Sequence, residues 1–223
     1  MPPQAVPDLY AFWQSASTHR VRIALNMKAL AVRERIVDLD KLEQRALNFL
    51  ALNPAATIPI LVEDGRSPLT QSMAILEFLE ETVPSPALLP ADAHGRARVR
   101  SLASMLVTDT HPLLTSRVRD YLFSVGGFDE AAWRAWMVHW LTFNLKAIDW
   151  RLATESETGD FCHGDRPTLA DICLVSILSL AESMNIIVDR IPTVARIVAT
   201  CASLDAFSRA HPLLQEGAHD TAV

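Results

Sequence analysis

The chain has 223 residues, half of them hydrophobic and 21% charged, with a formal net charge of −6 at pH 7. This length allows a pair of domains with a sizeable core. No apolar run approaches the roughly 18 residues of a membrane-spanning helix, and an acidic chain without a basic stripe is a poor partner for nucleic acid.

The N-terminus and the cysteines both favour the cytoplasm. The first residues, MPPQAVPD, contain no basic region followed by an apolar core, so we predict neither a secretory signal nor a transit peptide. The three cysteines are odd in number and lie far apart, at Cys162, Cys173 and Cys201. Such cysteines are typical of reduced thiols in a reducing compartment.

Strand-like and helical patterns alternate in the first part of the chain. The patterns predict strands at 9–13, 35–39, 57–62 and 69–70. Helices are predicted between them, at 21–30, 42–50 and 72–81. The order βαβ followed by ββα indicates a mixed sheet with helices on its faces, which is the thioredoxin-like α/β topology.

Three prolines in the segment VPSPALLP, residues 83–90, mark a linker after this region. Beyond the linker, apolar residues recur at helical intervals over 98–122, 130–154, 169–184 and 193–207. We therefore predict a thioredoxin-like domain at 1–86 and an all-helical bundle at 87–223. Four tryptophans of one helix are expected to share a face, in the core or at an interface: Trp133, Trp136, Trp140 and Trp150.

The loop between the first strand and the first helix concentrates hydroxyl groups. It runs from Gln14 to Arg20 and includes Ser15, Ser17 and Thr18. Unpaired backbone N–H groups at a helix N-terminus favour an anion, so a serine hydroxyl there could donate to a bound thiolate. Capping of the helix by Ser17 or Thr18 would equally explain these hydroxyls.

Two further positions of the first domain could hold an extended peptide ligand. Pro59 follows Ile58 inside a strand pattern, which indicates an edge strand, a bulge or a cis peptide bond. Gln71 and Ser72 open the next helix, with Ser72 expected as the N-cap whose hydroxyl could hold a carboxylate. Helix capping alone would also account for this pair.

Two motifs of the helical region are interpreted structurally. Thr168 is followed three residues later by Asp171, which predicts a capping box at a helix N-terminus. The loop at 161–165 holds one cysteine and one histidine without a second ligand pair. We therefore predict no metal site.

The order of these motifs resembles that of the zeta class of glutathione transferases, which includes maleylacetoacetate and maleylpyruvate isomerases. The resemblance covers nearly the whole chain. It rests on SASTHRVRIAL at 15–25, LNP at 52–54 followed by Ile58 and Pro59, QS at 71–72 with AILEFLE at 74–80, and GD at 164–165 with TLAD at 168–171. It implies the glutathione transferase fold, glutathione as the cofactor and a homodimer.

The resemblance also implies roles in the glutathione site. Ser15 matches the serine with which the family favours the glutathione thiolate, and Ser17 occupies the family's cysteine position, where it could assist. His111 corresponds to a polar glutathione contact. His19 resembles the maleylpyruvate isomerase branch, and we expect it in the substrate pocket.

The remaining implied contacts hold the peptide part of glutathione. Ile58, beside a cis-Pro59, would pair its backbone with the ligand. Gln71 and Ser72 would bind the γ-glutamyl end. All four residues lie in the predicted thioredoxin-like domain.

Two substrate-pocket positions depart from the family pattern. The arginine that precedes the catalytic serine is Gln14 here, and a second carboxylate-binding arginine corresponds to Ser183, or to Glu182 if the alignment shifts by one. Each loss of a charge-assisted contact costs roughly 1.5 to 3 kcal/mol, so a dicarboxylate would bind about 10² to 10⁴ times more weakly. Other arginines could compensate, namely Arg20, Arg117 or Arg119.

Three functional hypotheses follow. The first is a zeta-like glutathione transferase that activates the thiolate with a loop serine for attack on a small electrophile. The second is a glutathione-dependent cis–trans isomerase of maleylacetoacetate or maleylpyruvate in aromatic catabolism. The third is a non-catalytic protein that keeps the glutathione transferase fold for binding.

Overall fold

The computed structural model describes residues 6–218, and these form two compact units. The first unit contains the described residues up to Leu88 together with those from Leu204 onward. The second unit spans Leu89–Ser203. The sequence predicted domains at 1–86 and 87–223. The main difference is that the residues from Leu204 onward belong to the first unit and not to the helical one.

The C-terminal segment packs on the first unit. Ala218 joins a buried apolar cluster with Phe12 and Trp13, and the Asn26 side-chain amide donates to the Ala206 carbonyl oxygen at 3.0 Å. The apolar pattern at 193–207 predicted one bundle helix. That pattern instead covers two helices with a break between them: α8 (Pro192–Ala202) of the second unit and α9 (Asp205–Ser208) of the first.

A four-stranded mixed sheet forms the centre of the first unit. Its strands are β1 (Asp8–Ala11), β2 (Arg33–Ile36), β3 (Ile60–Val62) and β4 (Leu69–Thr70). Their order in the sheet is β2-β1-β3-β4. Strand β1 pairs in parallel with β2 and antiparallel with β3, which in turn pairs antiparallel with β4. The predicted thioredoxin-like topology is confirmed.

In the chain, α1 (Ala16–Met27) and α2 (Leu47–Leu52) lie between these strands, and α3 (Ser72–Thr82) follows the last of them. Helix α1 begins five residues before the predicted start at 21 because Ser15 caps it. The helix predicted at 42–50 is instead a 3₁₀ turn at Glu43–Arg45 followed by the six-residue α2. The chain turns there because Leu42 adopts a left-handed backbone conformation with φ of 59°.

The second unit is helical. Its α-helices are α4 (Ala93–Ser104), α5 (Ser116–Ser124), α6 (Glu130–Thr154), α7 (Leu169–Ser183) and α8 (Pro192–Ala202), while α9 (Asp205–Ser208) belongs to the first unit. The single helix predicted at 98–122 is interrupted by a π-helical segment, Met105–Thr110, and a 3₁₀ segment, His111–Leu114. Pro112, which has no backbone N–H to continue an α-helix, lies in this interruption.

The side chains of α6 and α7 test two expectations. Trp133 is buried, whereas 67% of Trp150 is exposed, so the four tryptophans do not share one buried face. The capping box is confirmed, because the Asp171 carboxylate accepts the Thr168 backbone N–H at 2.8 Å while Thr168 caps α7.

Two further findings concern membranes and metals. Over residues 6–218, none of the helices has the length and apolar character that spanning a bilayer requires. Within the same range, histidine, cysteine, aspartate and glutamate side chains form no group of three or more suited to a metal ion.

Candidate active site

Ser15 caps helix α1 and has its hydroxyl hydrogen left to donate. Its Oγ accepts the backbone N–H of Thr18 at 3.2 Å, and its backbone is extended. Since the oxygen already accepts from the protein, the O–H group can donate outward, beside the positive end of the helix. The alternative that Ser17 or Thr18 caps α1 is wrong, because Ser15 occupies that position.

Arg20 connects the loop to the start of α3. Its side chain is buried, with 0% exposed, and its Nη1 donates to Ser72 Oγ at 2.9 Å and to Ser17 Oγ at 3.4 Å. The expectation that Arg20 could replace a lost substrate-binding arginine does not fit this buried position. The contact between Arg20 and Ser17 could have been predicted from the sequence, because residues three positions apart on a helix are neighbours. Nothing in the sequence indicated the contact between Arg20 and Ser72.

The start of α3 differs from the prediction. Gln71 is the N-cap and Ser72 is the first helical residue, with Gln71 at φ of 70° and ψ of 117°. A positive φ is uncommon for a residue with a side chain, and such strain concentrates where ligands are clamped. Gln71 is exposed, and its side chain makes no capping hydrogen bond to α3. The N-terminus of a helix favours an anion.

The Ile58–Pro59 peptide bond is cis, as the resemblance implied. Pro59 lies directly before β3, outside the paired strand residues. The Ile58 side chain packs against two buried clusters, one with Phe12 and one with Phe49. A backbone contact from Ile58 to glutathione stays a prediction.

His19 lies inside the first unit, with 1% of its surface exposed. Neither ring nitrogen has a hydrogen-bond partner among the described residues. Burial, together with the nearby positive charges of His211, Arg22 and Arg20, lowers the pKa of His19 to about 3. The imidazole is therefore neutral and offers almost no surface to a substrate. This buried position does not fit the prediction that His19 lines the substrate pocket. Gln14 is half-buried beside Ser15.

The predicted residues of the second unit lie on separate elements. His111 is half-buried and opens the 3₁₀ segment directly after the π-helical segment, a kind of irregularity that is frequent at functional sites. Ser183 is the exposed last residue of α7, and its hydroxyl donates to the Leu180 carbonyl at 2.8 Å. Arg119 is paired with Glu130, and Arg117 is exposed.

Comparison with known proteins identifies the family. The model of the glutathione S-transferase N-terminal domain matches residues 14–82. A maleylpyruvate isomerase from Ralstonia sp. is 43% identical over 207 residues, which cover 93% of this chain and 97% of that protein. A solved holo structure of maleylpyruvate isomerase, a bacterial zeta-class glutathione S-transferase, has a TM-score of 0.90 at 42% identity and covers 94% of this chain and 99% of its own.

The chain belongs to the zeta class of glutathione transferases. The family inferred from the ordered motifs is thereby confirmed. A second solved structure similar to this zeta-class chain is maleylacetoacetate isomerase from Methylobacterium extorquens AM1 with bound malonate and glutathione. Its TM-score is 0.92 at 43% identity, and the match covers 95% of this chain and 99% of that one.

Proposed function

We propose that this zeta-class chain presents glutathione to a small electrophile, with the Ser15 hydroxyl stabilising the sulfur anion. The observation that carries the proposal is the Ser15 geometry: its Oγ accepts the Thr18 N–H at 3.2 Å, so its hydrogen is left for a ligand. Glutathione, when bound, supplies a thiolate nucleophile. Each pKa unit by which the site favours the thiolate corresponds to about 1.4 kcal/mol.

The start of α3 fits the anionic end of glutathione. Gln71 is an exposed residue with a positive φ, and its side chain makes no capping hydrogen bond to the helix. Ser72 adds a hydroxyl in the first helical position. We propose that these two residues bind the γ-glutamyl group and that Ile58, beside Pro59, contributes backbone hydrogen bonds.

The test is the ionisation of bound glutathione. Ultraviolet absorbance of the thiolate, measured against pH, gives the pKa of the bound thiol in the wild-type protein and in Ser15→Ala and Ser17→Ala. We expect Ser15→Ala to raise this pKa by about one to two units and to lower kcat/KM at pH 7 about 10- to 100-fold, whereas Ser17→Ala changes the rate less than about threefold. The opposite ranking would assign the role to Ser17.

Glutathione-dependent isomerisation of a maleyl dicarboxylate is the second candidate. The names of the similar proteins, and the malonate bound in one of them, favour it. Gln14 and Ser183 oppose it because neither supplies a positive charge. Turnover of maleylpyruvate and maleylacetoacetate should therefore be poor beside that of a monoanionic electrophile, and Gln14→Arg should raise it about tenfold or more. Efficient turnover by the wild type would refute the argument from these two positions.

We further propose a homodimer in the cytoplasm. Three cysteines, Cys162, Cys173 and Cys201, are buried free thiols, which suits a reducing compartment. Apolar side chains on α6 such as Phe143, 62% exposed, could be covered by a second subunit. Sedimentation equilibrium tests the dimer, and a monomer at micromolar concentration would contradict it.

A further inference from the structure

The buried guanidinium of Arg20 joins two parts of the proposed glutathione site that are distant in sequence. It donates to Ser72 at the start of α3 and to Ser17 in the first turn of α1. We propose that Arg20 is a positioning residue, which fixes the Ser72 hydroxyl as a donor toward bound glutathione. The inference rests on the proposed function, because it assumes that glutathione binds at these two helix starts.

The chemistry of the two groups dictates the direction of each hydrogen bond. A guanidinium can only donate, while a serine hydroxyl has one hydrogen and two lone pairs. Ser72 Oγ therefore accepts from Arg20 at 2.9 Å, and its own hydrogen must point to another acceptor. A carboxylate is such an acceptor. Without Arg20, the hydroxyl could rotate and turn its lone pairs toward the ligand.

Charge strengthens this effect. Arginine stays protonated in proteins, and hydrogen bonds from a charged donor are stronger than neutral ones. Arg20 is fully buried, where water screens its charge little. The contact to Ser72 at 2.9 Å is well formed, whereas the contact to Ser17 at 3.4 Å is long. We therefore expect Arg20 to act mainly through Ser72, on the carboxylate end of the ligand.

Calorimetric binding of glutathione and of S-methylglutathione tests the proposal without relying on turnover. The second ligand has no thiol, so it reports on the peptide part alone. We expect Arg20→Met to weaken both ligands about 10- to 100-fold, and Arg20→Lys, which keeps the charge, to weaken them about three- to tenfold. An effect confined to glutathione would contradict action through Ser72.

Arg22 offers a matched control. It lies two residues further along α1, is also buried, and pairs with Glu34 at 2.7 Å. Arg22→Met should lower the thermal unfolding temperature as Arg20→Met does. Both ligands should nevertheless bind to it within twofold of the wild type, since it donates to the Glu34 carboxylate and the Phe12 carbonyl oxygen and not to the serines of the proposed site. Equal losses of affinity in the two variants would indicate a merely structural role for Arg20.

A double-mutant cycle decides whether Arg20 acts through Ser72. We expect Arg20→Met to cost less than about threefold in affinity when Ser72 is already alanine, because the hydroxyl that it orients is gone. Full additivity of the two substitutions would overturn the proposal, as would wild-type affinity in Arg20→Met. If neither Arg20 variant folds, Ser72→Ala decides: unchanged affinity would leave Arg20 no hydroxyl through which to act. If the wild type binds neither ligand, the proposed function fails instead.

Discussion

Acidification should destabilise the fold through His19. The imidazole is buried with its pKa lowered to about 3, while the unfolded chain has a histidine pKa of about 6.5. The folded state binds the His19 proton more weakly than the unfolded state. The contribution of His19 to the unfolding free energy is therefore fully present above pH 6.5 and is lost as the pH falls toward 3. At pH 5 the loss is about 1.5 × 1.36, or about 2 kcal/mol.

Urea unfolding followed by circular dichroism at pH 7 and pH 5 measures this loss. In His19→Gln the change in unfolding free energy between the two pH values should be smaller than in the wild type by about 2 kcal/mol, because carboxylates titrate alike in both. His94 is exposed, so His94→Gln should keep the wild-type pH dependence. An equal pH dependence in the wild type and in His19→Gln would refute the reasoning from burial.

Three backbone and capping features give further predictions. Gln71 has φ of 70°, so the unfolding free energy of Gln71→Gly should be higher than that of Gln71→Ala by about 1 kcal/mol. Both variants should bind glutathione more weakly than the wild type. Equal unfolding free energies would show that the positive φ imposes no strain. Leu42 has φ of 59°, and Leu42→Gly should likewise be more stable than Leu42→Ala by about 0.5 to 1 kcal/mol in urea titrations. The Asp171 carboxylate accepts hydrogen bonds from the backbone N–H groups of Cys162 and Thr168, so Asp171→Ala should lower the unfolding free energy in urea titrations by about 2 to 4 kcal/mol. A decrease below about 0.5 kcal/mol would show that water replaces these two hydrogen bonds.

The sequence predicted those elements whose apolar pattern is local. Strand β4 at Leu69–Thr70 and helix α6 at Glu130–Thr154 have the predicted bounds. The 25 residues of α6 are long enough for a helical period to define its ends. The break between α4 and α5 was missed, since π-helical and 3₁₀ turns keep a nearly helical spacing of apolar residues.

At the site, the sequence located the hydroxyl-rich loop correctly, but the N-cap of α3 was assigned to the wrong residue. Capping preferences favour serine over glutamine, so Ser72 was expected as the N-cap that Gln71 occupies. The hydrogen bond from Arg20 to Ser72 spans 52 positions of sequence. A contact of this kind depends on the packing of α1 beside α3, so it cannot be predicted from a local sequence motif.

The packing of Ala218 against Phe12 and Trp13 also bears on synthesis. A nascent chain emerges from its N-terminus, so the first unit lacks part of its core until the residues of the second unit and the segment after Leu204 have been made. Trp13 directly precedes Gln14 and Ser15. The loop proposed to hold the thiolate is thus supported by the last described part of the chain to leave the ribosome.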